Sequence, residues 1–291
     1  MHSLTTLAAV ALLATSFAAC APAEETATDP EVDATSAEPS ADACTPDTME
    51  TIADATLTIA TDDPAYEPWF IDNDPTNGEG YEAAVGYAIA EQLGYTAEQV
   101  TWVKVPFNKV VQPGPKEFDL DLNQVSITEP RRKAVDFSSG YYDVVQTVIT
   151  NKGSAIDGVT SIAELADSKL GAQVGTTSYT AITDQIQPSE DPAVFDTNDQ
   201  AVQALNNGQI DGIVVDLPTA YFMTAVQLDN GTIVGQLPLI EGEPEQFGAV
   251  LAKGSALTGC ITGAVDALRE DGMLDQLNVE WLEQQGAPEL S

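Results

Sequence analysis

Three polar points in this chain have the right chemistry to hold a small molecule bearing both charges. The first is Arg131, one of three arginines with Arg132 and Arg269 in a chain of formal charge -36. It closes the run Asn123-Gln124-Val125-Ser126-Ile127-Thr128-Glu129-Pro130-Arg131. Its guanidinium offers a rigid fork of donors that matches a carboxylate bidentately. The second is Gly175-Thr176-Thr177-Ser178, where backbone donors at the start of a helix make a carboxylate seat that needs no net charge. The third is Asp216, an anion suited to an ammonium. Each has a plainer reading. Arg131 can balance nearby acids on the surface. Thr177 can cap its helix, and Asp216 can cap the one opened by Leu217-Pro218.

The elements needed to position these groups are legible in the spacing of apolar residues. Leu57–Thr61 alternates as a strand and runs into the Pro-punctuated loop Asp62-Asp63-Pro64-Ala65-Tyr66-Glu67-Pro68-Trp69. Tyr81, Val85, Ala88, Ile89 and Leu93 recur at helical spacing, with Gly94 at the stop position. Val100–Val105 and Phe118–Leu122 read as strands. A second series follows: strand Val144–Thr150, a helix opened by the capping box Ser161-Ile162-Ala163-Glu164, and strand Leu170–Val174. Helical Ala201–Leu205 and strand Ile213–Val215 come next, then a helix with Pro218 in its first turn. Gly248–Leu251 reads as a strand, followed by helices at Ala256–Leu268 and Leu274–Trp281. This succession predicts parallel α/β layers. All three polar points lie just beyond the carboxyl ends of strands, where open α/β sheets bind ligands. Arg131 and Thr177 can therefore grip one carboxylate from opposite sides, with Asp216 at the ligand's positive end.

Composition excludes several classes. The lone histidine is His2, within an apolar N-terminal stretch, so the mature chain lacks a Ser-His-Asp or Cys-His arrangement and the commonest metal ligand. The acidity argues against nucleic acid, whose phosphates need a lysine and arginine footprint. Leu4–Phe17 is too short to span a bilayer and has the size of a secretory h-region. Phe17-Ala18-Ala19-Cys20 resembles a lipobox, which gives residues 1–20 as signal peptide and Cys20 as the lipidated first residue; a plain secretory signal is the alternative. Residues 21–43, rich in Ala, Glu, Asp, Thr, Ser and Pro, are expected to be a disordered acidic tether. With Cys20 lipidated, Cys44 and Cys260 remain as an even pair for a disulfide in an exported chain, two free thiols being the alternative.

From about Leu57 to Leu282 the chain resembles the family 3 extracellular solute-binding proteins, receptors that deliver polar amino acids to ABC importers. The residues that carry the resemblance are Gly80-Tyr81-Glu82 leading into Ala88–Gly94, and Ser126–Arg131 continued by Val135-Asp136-Phe137-Ser138. Gly175-Thr176-Thr177 and Ala204–Asp211 with Asp216 complete the set. The resemblance implies an α/β bilobed periplasmic-binding-protein fold. Lobe one would be 50–145 plus 245–291, lobe two 146–244, and Val144–Thr150 and Leu239–Phe247 the hinge strands. It further implies that Arg131 and the Thr177 amide, with Thr176 beside it, bind an α-carboxylate, while Ser126 and Asp216 receive the α-ammonium. Tyr66 and Phe107 would wall the side-chain pocket, and Asp63, Asn123 and Gln124 would supply its polar edge. The implied protein is a monomer without cofactor, metal or enzymatic activity. It would be anchored by lipid to the outer face of the cytoplasmic membrane and paired with a permease. Two rivals share the scaffold, a periplasmic dehydratase and a ligand-sensing receptor. Ala84, Gln112–Glu117 and Asn123-Gln124 depart from the family pattern, the latter two at the mouth and edge of the pocket.

Overall fold

The computed structural model describes residues 44–240, 244–282 and 286–291. The expected signal peptide, Cys20 and the tether lie outside them. Two mixed five-stranded sheets organise the fold. The first contains β1 (Leu57–Thr61), β2 (Val100–Lys104), β3 (Leu120–Asp121), β4 (Val135–Val144) and β10 (Glu245–Ala252), in the order β2-β1-β3-β10-β4. Strands β1, β2 and β3 run parallel, and β10 is antiparallel to both β3 and β4. The second sheet contains β5 (Gln146–Asn151), β6 (Leu170–Gln173), β7 (Ala193–Phe195), β8 (Gly212–Asp216) and β9 (Gly231–Gln236), in the order β7-β6-β8-β5-β9.

The chain crosses between the sheets at two adjacent places. Val145 alone separates β4 from β5, and the return runs from the end of β9 to Glu245, which pairs with Val144. The second crossing differs from the expected hinge strand Leu239–Phe247, since among the described residues strand structure begins at Glu245.

Helix α1 (Tyr81–Gln92) buries Tyr81, Val85 and Ile89 against the first sheet, as the apolar spacing requires, alongside α7 (Thr258–Glu270) and α8 (Met273–Trp281). Gly80 permits its start. At φ 99° it lies so close to Trp69 that an added Cβ would sit 2.5 Å from that residue's carbonyl oxygen. Cys44 and Cys260 form a disulfide that ties the segment before β1 to α7. On the second sheet the capping box at Ser161 forms, with Glu164 accepting from the Ser161 backbone and hydroxyl, but it opens only a 3-10 turn, Ile162–Leu165. Strand β6 begins five residues beyond Leu165 and leaves no room for a longer helix.

The last residues depart from the assignment of 245–291 to lobe one. Leu290 is buried in the core of the second sheet. Gln236 N donates to Pro288 O at 2.7 Å, and Leu290 N donates to Gln236 O at 2.9 Å. Gly235 allows this approach, because a Cβ there would meet Leu290 and the Pro288 carbonyl at 2.8 Å.

Candidate functional site

The turn after β3 sets one wall of the site. Gln124 adopts φ 48°, so its backbone N–H and side-chain amide both turn toward Glu82 at the start of α1. Glu82 also accepts from the Tyr141 hydroxyl. Even with these donors, complete burial pushes the Glu82 carboxyl up to about 7. The chain then runs as an added strand beside β10, with Ser126 bridged to Phe247 and Ile127 N donating to Gln246 O at 2.8 Å. Thr128 caps α3 (Glu129–Arg132) by accepting from Arg131 N, and Pro130 fixes its first turn. That short helix aims Arg131 back across the strand ends.

Arg131 is half-buried and joins the two lobes. Nη1 donates to Ser126 O at 2.7 Å, and Nη2 donates to Gly175 O at 2.9 Å. The guanidinium lies 5.6 Å from the centre of the Phe107 ring, in α2 (Phe107–Val110). Burial lowers its pKa, and the charge of Glu245 opposes that shift. The surface reading of this arginine therefore fails on position.

Across the gap, Gly175 takes φ 77° and turns β6 into α4 (Thr177–Ala181). Thr176 caps α4 by accepting from Tyr179 N, while Thr177 supplies the first helical N–H, which the helix itself leaves unpaired. The Thr177 hydroxyl lies 3.1 Å from Ser126 Oγ and donates to Glu245 Oε1 at 2.5 Å. Asp216 ends β8 and caps α6 (Leu217–Phe222), accepting from Thr219 N and Thr219 Oγ1 at 2.9 Å each. Thr219 Oγ1 in turn accepts from Trp69 Nε1 of the first lobe at 2.9 Å. Burial raises the Asp216 carboxyl to about 6. The cap occupies about two of the roughly four acceptor directions of that carboxylate, so capping does not preclude a further donor.

These groups surround a cavity of about 540 Å³, part of it open to solvent. Tyr66, Phe107, Asn123, Gln124, Ser126, Arg131, Thr176, Thr177 and Asp216 all line it. Gln124 does so with its amide already committed to Glu82. Asp63 does not line it. Its side chain is exposed and lies 3.7 Å from Lys104, while the neighbouring Asp62 faces the cavity. Burial is the main cause of the raised pKa of Asp62. Ser178, the last residue of the second polar point, lines the cavity too, as do Gln146, Gln173 and Asn198, which sequence reasoning did not single out. Gln146 had a visible signal, a long amide side chain opening an otherwise β-branched strand. Three lining atoms are buried without a hydrogen bond among the described residues: Tyr66 Oη, Asn123 Nδ2 and Gln146 Oε1. The Tyr66 phenol faces Thr197 and Asp199 at the start of α5 (Asn198–Asn206) without a well-formed bond, and burial raises its pKa.

Similar proteins place this cleft in a family context. The glutamine-binding protein GlnH of an ABC transporter from Bacillus subtilis (strain 168) is 28% identical over 218 residues, covering 73% of this chain and 77% of that protein. The solved structure of an ancestral arginine-binding protein bound to glutamine is 28% identical with a TM-score of 0.64, covering 79% of this chain and 98% of that one. An ancestral amino acid-binding protein described as a precursor of cyclohexadienyl dehydratase is also 28% identical, with a TM-score of 0.63, covering 78% and 95% of the two chains. The profile of the bacterial extracellular solute-binding proteins, family 3, matches residues 57–284. The chain belongs to that family.

Proposed function

We propose that this chain is the substrate-binding component of an ABC importer and captures an amino-acid zwitterion by closing its two lobes upon it. The observation that carries this reading is the Arg131 guanidinium, set in the cleft and bonded to both lobes, with the Asp216 carboxylate on the same cavity. Arg131 and the Thr177 N–H hold the α-carboxylate, with Thr176 fixing the turn; Ser126 and Asp216 take the α-ammonium. Tyr66 and Phe107 wall the side chain, and Asp62, Asn123 and Gln124 form its polar edge. Lobe one is 50–145 with 245–282. Lobe two is 146–244 with the tail 286–291. The kinship with an ABC transporter's glutamine-binding protein and with a glutamine-bound ancestral protein supports an amino acid as cargo and a permease as partner.

The mechanism is closure without covalent chemistry, so the chain acts as a monomeric binder and not as an enzyme. A ligand moves the open-closed equilibrium only by binding the closed form more tightly, and one zwitterion touching Arg131 and Asp216 does so. The protein works at the outer face of the membrane, held there by lipid on Cys20.

A melting screen against the common L-amino acids tests the reading, since a ligand at a hundred times its Kd adds about 2.7 kcal/mol. At least one is expected to raise the Tm. No response from any of them, with turnover of a cyclic carboxylic acid instead, would replace this reading with the dehydratase.

A further inference from the structure

Behind the cleft, one carboxylate ties together both crossings between the lobes. Glu245 opens β10 on the return crossing, and it does not line the cavity. Its Oε1 accepts the Thr177 hydroxyl from the first turn of α4. Its Oε2 accepts from Gln146 Nε2, at the start of β5 on the outward crossing, at 3.5 Å. Gln146 Nε2 also lies 3.4 Å from Thr177 Oγ1.

The number of protons in this chain of groups fixes its direction. A carboxylate oxygen only accepts, and a threonine hydroxyl has one proton. With that proton on the bond to Glu245, Thr177 can only accept from Ser126. Distance alone leaves the Ser126–Thr177 pair undirected; Glu245 decides it. The Ser126 proton is then committed to Thr177, and its lone pairs are left to accept. An ammonium has three donors and no acceptor, so it needs that orientation.

We propose that Glu245 is a positioning residue that sets the polarity of the Glu245–Thr177–Ser126 chain and so makes Ser126 an acceptor for the ligand's ammonium. The inference rests on the amino-acid reading above and goes beyond it by assigning a role to a residue that does not touch the ligand. In Glu245→Gln, the Gln146 Nε2 donor favours an amide oxygen beside it, which turns the new NH2 toward Thr177. Thr177 then donates to Ser126, and the Ser126 proton is freed to oppose the ammonium.

The test compares the tightest-bound L-amino acid with its deaminated counterpart by calorimetry: glutaramic acid for L-glutamine, or 5-guanidinopentanoic acid for L-arginine. Glu245→Gln is expected to weaken the amino acid by at least about tenfold, the scale of one hydrogen bond to a charged group, and to leave the deaminated acid unchanged. In a Ser126→Ala background the same substitution is expected to have no further effect on the amino acid. Equal loss for both ligands, or no loss for either, overturns the assignment. So does an undiminished effect of Glu245→Gln in the Ser126→Ala background. If the wild-type protein binds no amino acid, the functional reading itself falls, and this inference falls with it.

Discussion

Two parts of the cleft lining are built differently. At the Arg131 end, both terminal guanidinium nitrogens, the Thr177 hydroxyl and both Glu245 oxygens have protein partners, and Gln146 Oε1 is the exception among the described residues there. Elsewhere on the lining, the Tyr66 phenol and Asn123 Nδ2 are buried with no partner among the described residues. The first arrangement is pre-organised and, on the proposed function, would meet what every amino acid shares. The second leaves donors whose desolvation is uncompensated within the protein, a cost of roughly 1–3 kcal/mol for each buried polar group. Such groups discriminate strongly, because a ligand that cannot pair them inherits that cost. The proposed function thus assigns affinity and selectivity to different groups of one cavity.

The most forceful way to break this contrast is at Arg131. Arg131→Ala is expected to weaken all bound amino acids alike, by about 2–5 kcal/mol for a desolvated charged contact, with the fold intact by circular dichroism. Calorimetry showing a loss confined to some side chains would move selectivity to the wrong part of the lining.

Acid should separate the two parts next. Burial holds Asp216 at about 6 and Glu82, beneath Gln124, at about 7, both above their ordinary values. A raised folded-state pKa favours the fold below the ordinary carboxylate value and loses that contribution as pH climbs through the raised one. Acidifying the ligand-free protein from pH 8 to 5 is therefore expected to stabilise it, by about 1.4 kcal/mol from Asp216 and about 2.5 kcal/mol from Glu82, because pH 5 lies above the ordinary value of each. Amino-acid affinity should move the opposite way, because protonated Asp216 no longer attracts an ammonium. Glu82→Gln should flatten the stability profile and keep the affinity profile. Denaturant melts and calorimetry across that range check both.

The smallest effects sharpen the comparison. Tyr66→Phe and Asn123→Ala are expected to reorder the amino acids by about 0.5–1.5 kcal/mol while sparing the weakest. A uniform shift across the same ligand panel would contradict the division.

How much of this was legible in the sequence follows from what each residue depends on. Arg131, Thr177 and Asp216 stand just past strand ends, and strands announce themselves by alternation, so their convergence on one cavity was readable. The choice between Asp62 and Asp63 was not, because it turns on where β1 stops and a side-chain parity that the following loop obscures. Gln124 looked like a pocket edge, yet its positive φ turns the amide onto Glu82, a contact 42 residues away. Glu245 was invisible for a different reason. It is one of 46 acids, and its importance comes only from lying on the return crossing beside Thr177. The short 3-10 turn after Ser161 shows the same limit. A capping box specifies where a helix can start, while the distance to the next strand decides how far it runs.

Trp69 offers a built-in optical gauge of the hinge. Its indole is fully buried and donates to Thr219 across the cleft, so parting the lobes must break that bond and admit water to the ring. Its emission should then shift to the red in the open form and back to the blue on closure, and Trp69→Phe should abolish the change. Jaw movement would thus be readable in solution without attaching a dye.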